Sequence, residues 1–175
     1  DKHIRATTFL DEETGVGNRV FFDNRLEALL TDQDKPHGIV MLIQLQDLEI
    51  LEINLGNEES LTVLKSFCHT INNYLKRFPE AILARRNHLD LALLIPLMNR
   101  NEAEQAANHL LKSLKKIPLP KSAGMDLDQF FHIGVVECGY GDSSYQVMSE
   151  ADMALRAAQL QGPCSWYMYD RKIMS

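Results

Sequence analysis

The stretch Asn87-His88-Leu89-Asp90 breaks two apolar runs and holds the residue types best suited to chemistry in this chain. Histidine is the side chain whose charge can change near neutral pH, so His88 is a candidate base or metal ligand. No second histidine or cysteine lies close in sequence to complete such a site, so the plainer reading is an exposed turn residue. Asp90 offers one carboxylate, enough to hold a cation only weakly. Beside it, Arg85 and Arg86 form a basic pair able to meet RNA or an acidic partner. A second basic group, Lys112, Lys115 and Lys116 with Lys121 beyond, reads either as a contact surface or as a solvated helix end and loop. His69, His109 and His132 fall inside periodic segments and read as structural. Glu49, Glu52, Glu58 and Glu59 read as a solvated acidic face.

The elements that must position these groups follow from hydrophobic periodicity. Residues 83–96 predict a β-hairpin, with strands over 82–86 and 89–97 and Asn87 closing the tip through its tolerance of left-handed backbone. Residues 39–45 form a dense apolar run, the pattern of a central strand buried on both faces. Helices are expected over 19–32 with Asn18 as N-cap, over 48–55 ending at Gly56, and from Leu61 to Phe78, where apolar residues step by three or four. Asn99 with Glu102 forms a capping box for the next helix, and 121–128 read as a loop. A strand over 130–137, a helix over 145–161 stopped by Gly162 and Pro163, and an edge strand over 166–169 complete the pattern. Helices alternate with strands of which two form a hairpin. This predicts an α/β sandwich: a mixed five-stranded sheet with helices on both faces.

The 175 residues suit one compact domain. A net charge of −6 opposes nucleic-acid binding by the surface taken whole. The three cysteines lie far apart without C-x-x-C spacing, which suggests free thiols in a reducing compartment rather than a disulfide or zinc site. No apolar run approaches the roughly 20 residues of a membrane helix, and no signal peptide is evident.

Asp11, Thr14, Gly15, Asn18, Arg19 and Phe22, followed far downstream by Ala151-Asp152-Met153-Ala154-Leu155, resemble the opening and closing motifs of the GGDEF diguanylate cyclase family. The resemblance covers the whole chain and implies a nucleotidyl-cyclase-like fold. It also implies a degenerate site. The metal-binding acids of active members fall at Gln44 and Gln46, and the guanine-reading pair falls at Glu52 and Leu61. The signature itself becomes Asn87, His88, Leu89, Asp90 and Leu91, in which Asp90 keeps the one acid and stands as a candidate residual metal ligand. The phosphate-facing lysine becomes Gln159, and the family's inhibitory R-x-x-D falls at Phe78 and Ala81. An amide is a poor ligand for magnesium, which prefers carboxylate and phosphate oxygens. Glycines at such a tip admit phosphate close to the backbone, and Asn87 and His88 place side chains there.

The expectation is therefore no catalytic residue, no bound metal and no cofactor. The domain would be a regulatory module, with nucleotide sensing without turnover and residual cyclase activity as the alternatives. Among degenerate members the likeness is to membrane-anchored regulators of small-RNA decay. It implies a helical lead-in at 1–10, the domain at 11–170, and a linker at 171–175 toward an EAL-like domain. It further implies a place on the cytoplasmic side of the inner membrane, RNase E as the nuclease served, and the glucose-specific phosphotransferase protein as a partner of the EAL part. Weak RNA contact through Arg85, Arg86, Lys112, Lys115 and Lys116, and homodimerisation, complete the expected partners.

Overall fold

The computed structural model describes residues 8–174. Most of the expected 1–10 lead-in lies outside that range, and within it Leu10 makes an isolated bridge to Gly17. The elements run α1 (Arg19–Leu30), β1 (Gly38–Gln44), α2 (Leu48–Leu55), α3 (Asn57–Leu75), β2 (Ile82–Arg85), β3 (Asp90–Pro96), α4 (Arg100–Lys115), β4 (His132–Cys138), α5 (Ser144–Gln161), β5 (Trp166–Met168) and α6 (Arg171–Met174). Residues 121–128, expected as a plain loop, include 3-10 turns at Lys121–Ala123 and, overlapping their end, Leu127–Gln129. The start of the expected linker at 171 is the short helix α6.

The five strands order as β2-β3-β1-β4-β5. All neighbours are antiparallel except β4 and β5. The run at 39–45 is thus the central strand, as its unbroken apolar character demands. Because side chains alternate along a strand, β1 feeds two cores. Ile39, Met41 and Ile43 join Phe67, Ile71, Leu110 and Phe131 beneath α2, α3 and α4. Val40 and Leu42 join Phe22, Leu26, Ala151 and Leu155 beneath α1 and α5.

The α1/α5 face is built for close approach. Ala84, Ala92, Ala151, Ala154 and Ala158 are fully buried there. A Cβ on Gly134 would stand 2.5 Å from the Leu155 nitrogen and 2.7 Å from the Ala151 oxygen. Both halves of the Asn99/Glu102 capping box form at the start of α4. Cys68, Cys138 and Cys164 are free and buried, as expected from their spacing. Burial pushes the Cys68 and Cys138 thiols up to about 12. Among the described residues no helix is long and apolar enough to cross a membrane.

Candidate functional site

The opening motif first builds a turn. Asp11 Oδ2 accepts from Thr14 N at 3.0 Å and Thr14 Oγ1 at 2.7 Å. Gly15 sits at φ 77°, a left-handed position that a side chain would strain. Asn18 Oδ1 then accepts from Phe21 N at 3.0 Å and caps α1. The product of this turn is a pair of carboxylates, Asp11 and Glu13, aimed at the hairpin.

Arg85 receives them. Its side chain is only 4% exposed, with Nη1 2.7 Å from Glu13 Oε1 and 3.3 Å from Asp11 Oδ2. Nη2 donates to the His88 carbonyl at 2.8 Å and to His88 Nδ1 at 3.2 Å. Arg86 is engaged as well: Nη2 lies 3.2 Å from Asp23 Oδ1, and the guanidinium sits over the Phe22 ring. Both arginines of the pair are thus engaged by acids of the same chain, Arg85 buried and Arg86 partly exposed. Two acids and a carbonyl commit the buried Arg85 guanidinium to the fold, because these charge-assisted bonds offset the cost of removing it from water.

The hairpin tip also closes differently from expectation. The strands end earlier, at Arg85 and Asp90, and Asn87 does not adopt a left-handed backbone. Its side chain does the work instead: Nδ2 donates to Asp90 Oδ2 at 2.7 Å, and Oδ1 accepts from Leu89 N at 3.0 Å. Asp90 has one oxygen thereby occupied and the other buried without a hydrogen-bond partner. Asp90 pairs across the ladder with Gln44 and lies near Asp152 of α5. Burial, then the charge of Asp90, push the Asp152 carboxyl above its usual range, while Arg86 and Arg156 pull it back.

His88 is half exposed and points away from that acid. With Arg85 donating to Nδ1, the ring proton belongs on Nε2, which meets Glu52 Oε1 at 2.9 Å. The residue at the second signature position thus touches the residue at an implied guanine-reading position. Glu52, Leu61, Leu64, Ser60, Arg85 and Glu13 line a cavity of about 20 Å³. That holds roughly one water molecule and no purine.

Gln44 and Gln46 are used in the same inward way. Gln159 Nε2 of α5 donates to Gln44 Oε1. Gln46 Oε1 meets His132 Nδ1 at 2.7 Å, and His132 Nε2 donates to the Gly162 carbonyl at 2.7 Å. His132 is structural, as its position suggested. Its role as a bridge between the end of β1 and the loop after α5 was not legible, since neither partner is near it in sequence.

These donors do not fit the family's metal pair. Two amides already bound to neighbours and one carboxylate half consumed by Asn87 supply too little charge for a divalent ion. Among the described residues no group of three or more His, Cys, Asp or Glu side chains is arranged around a common point. A cavity of about 570 Å³ lies at the other end of the sheet beside His37, Arg100, Gly139, Asp142 and Arg171.

Lys112, Lys115 and Lys116 are exposed at the end of α4. They divide between two flanks: Lys116 lies near His109 and Arg77, whereas Lys115 lies near Cys164.

Comparison with known proteins agrees with this architecture. The family described as diguanylate cyclase, GGDEF domain, matches residues 8–164. The RNase E specificity factor CsrD of Escherichia coli (strain K12) is 38% identical over 97% of this chain, which spans 26% of CsrD. The coiled coil and GGDEF domain of DgcB from Caulobacter crescentus, in complex with c-di-GMP, superposes with a TM-score of 0.83. That match has 19% identity and covers 95% of this chain and 88% of that one. The GGDEF domain of TpbB from Pseudomonas aeruginosa gives a TM-score of 0.76 at 24% identity, over 92% of this chain and 94% of that one. With the strand order, the paired cores and the hairpin between β2 and β3 in place, the chain belongs to the GGDEF diguanylate cyclase family.

Proposed function

We propose that this domain is a non-catalytic module that regulates RNA turnover within a longer protein. The observation carrying the first half is the hydrogen bond from His88 Nε2 to Glu52 Oε1. It joins the hairpin tip to α2 beside the implied guanine-reading positions Glu52 and Leu61, where the cavity between them is about 20 Å³. The amide bridge from Gln44 to Gln159 supports the same reading where metal ligands and a phosphate-facing cation are implied. The second half rests on the likeness to CsrD, an RNase E specificity factor. In this reading the longer protein is anchored in the inner membrane and carries an EAL-like domain. It promotes RNase E-dependent decay of small RNAs and answers to the glucose-specific phosphotransferase protein.

Incubation with GTP and either magnesium or manganese, followed by product analysis, tests the chemistry. No cyclic di-GMP is expected, and measurable product from the unmodified chain overturns the reading. Calorimetric titration with GTP and cyclic di-GMP separates it from nucleotide sensing: no heat is expected from either. For the regulatory half, small-RNA half-life is compared in cells carrying the full-length protein with and without this domain. An unchanged half-life overturns that half.

A further inference from the structure

Tyr74, near the end of α3, and His109, on α4, stack with ring centroids 4.2 Å apart and planes 19° from parallel. Tyr74 is buried and His109 is exposed, so the histidine ring lies on a fixed aromatic floor with its outer face open to solvent. Arg77 places its guanidinium 5.0 Å from the Tyr74 centroid. His109, Lys112 and Lys116 follow each other at intervals of three and four residues, which puts them along one side of α4. None of Arg77, Lys112 and Lys116 makes an ion pair among the described residues. Burial lowers the affinity of His109 for a proton, and the charges of Arg77 and Lys116 act in the same direction. No acid offsets them there.

We propose that this surface binds single-stranded RNA, with the outer face of His109 as a stacking platform for one base and Arg77, Lys112 and Lys116 as phosphate contacts. The inference rests on the RNA-turnover reading above for the choice of polyanion. The chemistry itself is that of sequence-tolerant single-strand binding, which combines a basic track with an aromatic face. An anionic membrane is the poorer occupant. Insertion needs exposed apolar side chains, and the large exposed ones, among them Ile50, Ile53, Tyr145 and Leu160, belong to other elements. The basic region moves accordingly: Arg85 and Arg86 leave it, and Arg77 enters it.

The test is fluorescence anisotropy of a labelled single-stranded oligoribonucleotide of mixed sequence, titrated with the 175-residue chain at low and high KCl. Three neutralised contacts predict a slope of log affinity against log salt of about −2. The triple variant R77A/K112A/K116A should bind at least about tenfold more weakly. H109A should lose about tenfold, while H109F, which keeps a ring, should retain binding. K115A, on the other flank, should match the parent. The proposal is overturned by absence of RNA binding in the parent or by undiminished binding in the triple variant. With phosphatidylserine vesicles titrated in parallel, it is also overturned if the triple variant loses binding to the vesicles and not to RNA. Such a failure leaves the no-turnover reading standing, because that reading is decided by product analysis with GTP.

Discussion

The side-chain amide of Gln159 donates to the side-chain carbonyl of Gln44, tying the last turns of α5 to the end of the central strand. The family pattern implies an acid at the first position and a lysine at the second. Both charges are absent, and the neutral pair that stands there satisfies itself. A polar group in a half-buried position is costly unless bonded, and this pairing removes that cost without any ligand.

Gln44→Asp should therefore leave the domain without cyclase activity and make it less stable. The new carboxylate stands directly opposite Asp90 in the ladder, and like charges across a strand pair repel. Together with the lost amide bond, the loss should be about 1–2 kcal/mol. Urea unfolding measures it, and product analysis with GTP checks the activity.

Arg85→Ala should cost about 2–3 kcal/mol. The buried guanidinium is the shared partner of Asp11, Glu13 and the His88 carbonyl. Removing one member of a buried pair strands the other. Glu13 is 54% exposed and can rehydrate, which holds the loss below the upper range. Arg85→Lys should recover only part of it, since one ammonium cannot reproduce the fork. Equilibrium denaturation of the two variants decides the order.

Gly134→Ala should destabilise by about 3 kcal/mol, the top of the range for over-packing. The added methyl meets backbone atoms of Leu155 and Ala151, which cannot rotate away. A melting temperature equal to that of the parent would show that α5 can move off the sheet.

Asp152→Asn should stabilise the fold at neutral pH. A carboxyl whose proton affinity is raised on folding binds its proton more tightly in the native state than in the unfolded one. Stability then falls as pH rises through the interval between the ordinary value and the raised one, and the full cost is present above that interval. Asparagine carries no such charge. Its melting temperature should exceed the parent's at neutral pH, and the gap should close in acid below about pH 3.9.

The elements and their faces were legible in the sequence because they follow from local periodicity and caps. The unbroken apolar run at 39–45 could only be a central strand, Asn18 and Asn99 announced helix starts, and Gly162 with Pro163 announced an end. The motif at Asp11–Phe22 announced the family, and Gln44, Gln46, Asn87 and His88 stand where the resemblance implies acids and glycines. What those residues do instead was decided by the tertiary structure. Arg85 reads as a surface cation beside a turn, yet folding brings Asp11 and Glu13 across 74 and 72 positions to bury it. His88 reads as a tip residue, yet it meets Glu52, 36 positions away. Tyr74 and His109 each read as part of a separate helix, and only the packing of α3 against α4 stacks their rings. Periodicity reports which face of an element is apolar. It carries no information on which polar side chains from distant elements share a face once the sheet has assembled, because that depends on register and helix placement set by the core.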